Sequence, residues 1–198
     1  IGIDMIIVKK SLKDLARPLI LVSALLLLGG CADTSNEQNQ RATSPKIALI
    51  MKSLANEFFV NMQRSAEAHQ AAQPEVYTLV ANGIKNESDL AQQVALVDQM
   101  IALGVDSIVI APADSRALVP ALVRALQAGI QVVNIDNRLA TEALAEYDVQ
   151  IPYIGPSDRE GARLVAEYVL AKHELASEVF ILEGIPTAAN AKQRKAGF

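Results

Sequence analysis

Residues 46–63 read KIALIMKSLANEFFVNMQ, and the order of residue types in this stretch decides the fold. The apolar run from Ile47 to Met51 is typical of a buried strand, and helical spacing begins at Phe59 after a short polar interruption. A strand that is buried on both faces and followed directly by a helix is the repeating unit of parallel α/β sheets. The same stretch places Phe58 beside Phe59, close to Lys52, where the strand gives way to the helix.

The alternation of strand and helix continues along the chain. Apolar runs predict strands at 47–51, 76–80, 107–111, 132–135 and 179–182. Helical spacing fills the intervals at 59–72, 89–103, 117–128 and 159–171. Gly104 and Gly129 follow two of these helices, at the position where a left-handed cap is needed. The pattern predicts the α/β class, with a doubly wound parallel sheet.

Charge and composition exclude some classes of protein. Half of the 198 residues are apolar and a fifth are charged, which is typical of a globular chain. The formal net charge is −4, and no stretch forms the basic stripe that displaces counterions from nucleic acid. We therefore expect no nucleic-acid partner.

The first 30 residues resemble a bacterial lipoprotein signal peptide. A basic segment from Lys9 to Arg17 precedes an apolar run from Leu19 to Leu28, which is too short to cross a bilayer. Gly29 and Gly30 then precede Cys31, the single cysteine, in a block that resembles a lipobox. We expect lipid attachment at Cys31 and anchoring to a membrane; the alternative is a buried cysteine in an ordinary N-terminal helix.

Residues 31–45 are polar and lack a periodic apolar face, so we expect a flexible tether. The domain on this tether begins at residue 46. It is expected to work close to a membrane, in the periplasm or cell envelope.

Polar side chains follow the predicted strands at the edge where parallel sheets bind ligands. Lys52 and Asn56 follow the first strand, and Asp136 with Asn137 follow the fourth. No glycine-rich phosphate loop and no histidine accompanies them, so the sequence predicts neither a catalytic residue nor a metal or cofactor site. His69 and His173 fall in or beside helical stretches and are interpreted as surface residues.

The combination of fixed polar groups and aromatic faces is the chemistry of sugar recognition. Sugar hydroxyls both donate and accept hydrogen bonds, while the C–H faces of the ring pack on aromatic side chains. Planar carboxylate, amide and guanidinium groups pair with two neighbouring hydroxyls at a time, and the bonds that involve a charged group are the stronger ones. Phe58 and Phe59 are therefore predicted to form the apolar wall of a monosaccharide site.

Five segments of the chain resemble the periplasmic sugar-binding proteins of ABC transporters, the family of ribose- and allose-binding proteins. The segments stand in the family's order and spacing: KSLANEFF (52–59), SIVIAPAD (107–114), VVNIDNR (132–138), YIGPSDREGA (153–162) and NAKQRKAGF (190–198). The resemblance implies two doubly wound lobes that close over a monosaccharide. Together with the residues at the strand ends it gives the predicted sugar-binding set: Lys52, Asn56, Phe58, Phe59, Asp136, Asn137 and Arg194.

Each of these residues also has a purely structural interpretation. Asn56 is suited to cap the following helix, and one of the two phenylalanines must face the core because adjacent helical positions point about 100° apart. Asp136 is also suited to a turn, and Lys52 to a solvated strand end. Arg194 by itself would be a surface helix residue.

The resemblance also implies domain boundaries and partners. Residues 46–156 are expected to form the N-terminal sugar-binding lobe, and residues 157–198 to begin a second lobe that is incomplete in this sequence. The implied function is capture of a pentose, hexose or related polyol by a monomeric lipoprotein, without enzymatic activity, for delivery to the permease of an ABC importer.

Three alternatives belong to other classes. A sensor accessory protein of the same fold would have a first lobe with the same appearance. A transcription regulator would carry a helix-turn-helix, and an α/β enzyme a phosphate loop or a strand-end nucleophile, and the sequence shows neither.

Overall fold

The computed structural model describes residues 44–172 and 178–198. Its strands are β1 Lys46–Met51, β2 Thr78–Gly83, β3 Ser107–Ile110, β4 Gln131–Ile135 and β5 Tyr153–Ile154. Its helices are α1 Glu57–Ala72, α2 Leu90–Ala102, α3 Val119–Gln127, α4 Thr141–Ala145, α5 Asp158–Leu170 and α6 Ala189–Gly197. The predicted signal peptide, Cys31, most of the tether and His173 lie outside these ranges.

The five strands form one parallel sheet in the order β2-β1-β3-β4-β5. The order reverses between β1 and β3, where the chain switches from building one half of the sheet to building the other. Ile47 of β1 pairs with Leu79 of β2 on one side and with Ser107 of β3 on the other. The predicted α/β class and doubly wound parallel sheet are confirmed, and the switch point puts the end of β1 at the centre of the ligand-binding edge.

The core lies on both faces of the sheet. The larger cluster packs α2 and α3 against β1 and β3, and includes the fully buried Ile50, Ile108 and Leu122. The smaller cluster packs Phe59 of α1 against Leu49 and other residues of the opposite face. Central strands that bury both faces explain why the strand sequences are continuously apolar and do not alternate.

Besides a shift of β2 from the predicted 76–80 to Thr78–Gly83, the structure differs from the sequence-based prediction at two strands. Residues 179–182 were predicted to form a strand, but they have no strand structure, and Phe180 and Leu182 are exposed. Their composition favours a strand, but none of the described strands lies beside them to supply hydrogen bonds. The fifth strand is instead Tyr153–Ile154, which is too short to give a periodic pattern.

Helices α5 and α6 pack against each other beyond the sheet. A Cβ at Gly197 would collide with the backbone carbonyl of Arg159, so the close approach of the two helices requires glycine there. Helix α5 begins at a serine cap, because the Ser157 side chain accepts a hydrogen bond from the Glu160 amide. Within residues 44–172 and 178–198, no helix has both the length and the apolar character needed to cross a bilayer.

Candidate functional site

A cavity of about 400 Å³ opens at the carboxyl edge of the sheet, which is within the size range of small-molecule sites. One wall comes from the loops after the strands and from the start of α1, and the other from the segment around α6. The wall residues are Lys52, Asn56, Phe58, Phe59, Glu87 and Asp136 on the first side, and Gly184, Ile185, Ala188, Asn190, Ala191 and Arg194 on the second. Six of the seven predicted sugar-binding residues thus line one cavity.

An ion pair lies on the first wall. The ammonium nitrogen of Lys52 is 3.0 Å from Oδ2 of Asp136 and 3.7 Å from Oε2 of Glu87. The Lys52 and Asp136 side chains are only 4% and 12% exposed. Asp136 Oδ2 is buried and lacks a hydrogen-bond partner among the described residues, so the pair is in contact without hydrogen-bond alignment. The Lys52 ammonium is thus the charge that compensates this buried carboxylate oxygen.

The backbone of Asp136 has a left-handed conformation, with φ of 58°. Aspartate tolerates this region better than most residues because its short polar side chain bonds locally. The Tyr153 hydroxyl donates a hydrogen bond of 3.0 Å to the Asp136 carbonyl, and the Arg138 guanidinium lies 3.8 Å from the centre of the Tyr153 ring. Burial, followed by the nearby negative charge of Asp158, raises the pKa of Tyr153, so the hydroxyl stays protonated as the donor.

The two phenylalanines have different environments. Phe59 is 4% exposed and packs in the smaller core cluster, whereas Phe58 is 57% exposed. Their rings meet edge to face with centroids 5.1 Å apart, and the Lys52 ammonium lies 5.5 Å from the Phe59 centroid. The prediction that one ring faces the core is confirmed. Phe58 supplies the accessible apolar face, and Phe59 fixes its orientation.

Asn56 is the N-cap of α1, as its structural interpretation predicted. Its Oδ1 accepts a hydrogen bond of 2.9 Å from the Phe58 amide. Because the cap uses the carbonyl oxygen, the amide nitrogen remains a donor at the cavity wall. Capping and ligand contact are compatible at this residue.

Arg194 on α6 reaches the cavity from the second wall. Its Nε donates to Oδ1 of Asp158 at 2.8 Å, so the first turn of α5 orients the guanidinium. Arg194 is largely exposed, while the carboxylate of Asp158 is nearly buried. The ion pair leaves further guanidinium hydrogens available to a ligand.

Asn137 does not line the cavity. Its side chain is fully buried: Nδ2 donates to the Pro112 carbonyl at 3.0 Å, and Oδ1 accepts from the Asn190 amide at 3.2 Å. The Ser115 hydroxyl approaches the same oxygen at 3.4 Å. Its neighbour Asn134 is also buried and braces the loop by donating to the Asn137 carbonyl. Asn137 therefore does not face the cavity; it ties the loop after β4 to Pro112 and to the start of α6.

Sequence reasoning missed two polar residues of the wall. Glu87 lies in the loop after β2, a strand end from which no residue was included in the predicted sugar-binding set. Asn190 lies at the start of α6, and its burial comes from packing against the loop after β4, which no local pattern reveals. An inspection of every polar residue between β2 and α2 would have found Glu87.

The side chains around the cavity are suited to binding a ligand by hydrogen bonds and apolar contact. Among the described residues, no group of three or more histidine, cysteine, aspartate or glutamate side chains is arranged to hold a metal ion. The carboxylate of Asp136, the ammonium of Lys52 and the guanidinium of Arg194 face a space bordered by the Phe58 ring. Charged donors and acceptors around one apolar face suit a small polyhydroxylated molecule.

His69 lies outside this site. It is exposed on α1, with Nδ1 2.7 Å from the Tyr77 hydroxyl, and its prediction as a surface residue is confirmed.

Curated relatives of the chain are sugar-binding proteins. It is 53% identical over 154 residues to the D-ribose/D-allose-binding protein of Pseudomonas aeruginosa, which covers 78% of this chain and 48% of that protein. It is 28% identical over 186 residues to the ribose import binding protein RbsB of Bacillus subtilis, covering 90% of this chain and 57% of that protein. The chain thus spans about half the length of the curated relatives it matches.

Solved structures agree in fold. A solute-binding protein of an ABC transporter from Burkholderia multivorans, with an unknown ligand, matches with a TM-score of 0.77 and 50% identity over 78% of this chain and 55% of that one. A periplasmic solute-binding protein from Actinobacillus succinogenes with bound D-allose matches with a TM-score of 0.72 and 37% identity, over 77% of this chain and 53% of that one. The periplasmic binding protein domain matches residues 47–198. The chain therefore belongs to the periplasmic binding protein family.

Proposed function

We propose that this chain captures a monosaccharide or related polyol in the cavity between the strand-end loops and α6, and presents it to an ABC importer. The observation that carries the proposal is the placement of the Asp136 carboxylate, the Lys52 ammonium and the Arg194 guanidinium around one cavity that an exposed aromatic ring borders. The relatives named above as ribose- and allose-binding proteins support the class of ligand. Recognition by hydrogen bonding and stacking requires no catalysis, and we propose none.

Each wall residue has a role in this proposal. Asp136 accepts hydrogen bonds from sugar hydroxyls, while Lys52 and Arg194 donate to hydroxyl oxygens as charged groups. The Asn56 amide donates from the cap of α1, and Phe58 packs against a C–H face of the ring. Phe59 and Asn137 act through their neighbours, Phe59 by orienting Phe58 and Asn137 by supporting the loop of Asp136.

We extend the proposal to the cellular setting. Residues 1–30 serve as a signal peptide, Cys31 carries the lipid, and the polar tether lets a monomeric binding domain reach the permease from the membrane surface. The resemblance of residues 28–31 to a lipobox supports this arrangement. The working compartment is the periplasm or the cell envelope outside the cytoplasmic membrane.

The test is calorimetric titration against a panel of pentoses, hexoses and sugar alcohols. It uses the longest form of the protein that its gene encodes, from Cys31 onward with Cys31→Ser. We expect micromolar or tighter binding to at least one sugar, lost in Asp136→Ala. The matched control is Asp98→Ala, which removes an exposed carboxylate of α2 far from the cavity and should bind as the parent does. A folded protein that gives no heat with any sugar would refute the proposal.

A further inference from the structure

Helix α6 begins without a cap of its own. Its N-cap residue is Ala188, whose methyl side chain cannot accept a hydrogen bond. The first amides of any helix lack partners within the helix, and burying them unpaired is costly. Ala188 and Asn190 are buried, so the start of α6 requires acceptors from elsewhere.

Two residues of the sheet's loops supply these acceptors. The Ala189 amide donates to Oγ of Ser115 at 2.9 Å, and the Asn190 amide donates to Oδ1 of Asn137 at 3.2 Å. Ser115 follows β3 and Asn137 follows β4, and both side chains are buried. The first turn of α6 is therefore capped by residues 53 and 74 positions away in the sequence.

Further polar contacts join the same segments. The Ser115 amide donates to the Thr187 carbonyl at 3.4 Å, and the Thr187 hydroxyl hydrogen-bonds the carboxylate of Asp114. Asp114 is itself buried and accepts from the amides of Arg116 and Ala117, both at 2.7 Å. These two bonds orient the Asp114 carboxylate independently of its contact with Thr187.

We call the contacts of residues 114, 115 and 137 with residues 187–190 the junction, and this junction holds the segment that forms the second wall of the cavity. The residues of that wall, from Gly184 to Arg194, follow or flank the segment that the junction holds, and neither Ser115 nor Asn137 lines the cavity. The two caps hold the start of the helix that carries Arg194, while Asp158 orients the guanidinium at its other end. In this structure the second wall of the cavity and the cap of α6 are therefore formed together, without a ligand.

We propose that Ser115 and Asn137 are positioning residues that cap α6 in trans and thereby set ligand affinity without touching the ligand. The affinity statement rests on the proposed function, whereas the capping statement does not. A ligand that needs both walls is held only while the cap is formed, so weakening the cap should speed ligand release more than it slows capture.

The first experiment needs no ligand. Hydrogen exchange is measured at the Ala189 and Asn190 amides of the parent, of Ser115→Ala, and of Ser65→Ala as the matched control. The control removes a hydroxyl that donates to the Asn61 carbonyl on the exposed side of α1, away from the junction. We expect protection at both amides in the parent and the control. In Ser115→Ala we expect loss of protection at Ala189 while the amides of β1 and β3 stay protected. Rapid exchange at both amides in the parent would overturn the cap.

The second experiment measures binding of D-allose and D-ribose as probes. Ser115→Ala should weaken the affinity about 2- to 30-fold, mainly through the dissociation rate, because loss of an N-cap has an effect of that size. Thr187→Val, which weakens the junction from its other side, should act in the same direction, and Ser65→Ala should have no effect. Parent-like affinity in both junction variants would overturn the positioning role. Absence of binding in the parent would instead refute the proposed function, and the exchange experiment alone would then decide the cap.

Discussion

Lys52 Nζ lies 3.0 Å from Oδ2 of Asp136, and this pair joins the ends of β1 and β4 across the intervening strand β3. The pair is nearly buried, which is unusual for a lysine at a strand end. An ammonium taken out of water requires a nearby negative charge, and Lys52 has one on each side, in Asp136 and Glu87. The charges that are available to a ligand are therefore also the charges that hold two loops together.

Replacement of Lys52 by methionine should destabilise the folded lobe. The change leaves the Asp136 carboxylate buried without its closest cation, and breaking a buried pair in this way costs about 3 kcal/mol of unfolding free energy. The double variant Lys52→Met/Asp136→Asn removes both charges and should recover most of that loss, while sugar binding stays abolished. Chemical denaturation of the two variants measures the difference.

The control for this prediction is an exposed pair of similar geometry. Arg124 donates three hydrogen bonds to Asp98 between α3 and α2, and both side chains are 48% exposed. Arg124→Met should change the unfolding free energy by less than about 1 kcal/mol, as exposed ion pairs do. Equal losses in Lys52→Met and Arg124→Met would show that burial of the Lys52 pair has no energetic consequence.

The two phenylalanines should separate stability from binding. Phe59→Ala removes a buried ring and should lower the unfolding free energy by about 3 to 5 kcal/mol. Phe58→Ala removes an exposed ring and should leave stability within about 0.5 kcal/mol, but it should weaken sugar affinity by removing the apolar face. Thermal unfolding and calorimetric titration of both variants provide the measurements. A Phe58→Ala protein with parent affinity would exclude stacking on this ring.

The sheet was predictable because its strands are continuous apolar runs separated by helical spacing, a pattern produced by burial on both faces. The site was predictable to the extent that parallel strands bring their carboxyl ends together, which places Lys52 and Asp136 at one edge. The resemblance to a known family, and not the spacing, singled out Arg194. Long-range packing decided the rest: the position of Asn137 below the cavity depends on residues 53 positions away, and residues 179–182 show that strand composition without a pairing partner gives no strand.

Two substitutions at Asn56 should distinguish its cap from its contact with a ligand. Asn56→Ala removes the acceptor of the Phe58 amide and should lower the unfolding free energy by about 1 kcal/mol. Asn56→Ser retains a capping oxygen but lacks the amide donor, so stability should stay near the parent value while sugar affinity falls. If Asn56→Ser binds sugar as the parent does, Asn56 serves only as a cap.

Asp114 should make the fold sensitive to acid. Burial by itself raises the pKa of Asp114, but hydrogen bonds from the Ala117 amide, the Thr187 hydroxyl and the Arg116 amide outweigh it, so the net pKa lies below the ordinary value of 3.8. A carboxyl with a lowered pKa in the folded state adds stability that is fully present above its unfolded pKa and is lost as the pH falls through the folded pKa. We therefore expect Asp114→Asn to be less stable than the parent at pH 6, and the gap to narrow as the pH falls below about 4. Unfolding free energies of both proteins between pH 3 and pH 6 test this, with Asp98→Asn as the exposed control. A gap that stays constant over that range would show that the hydrogen bonds to Asp114 do not favour its charged form.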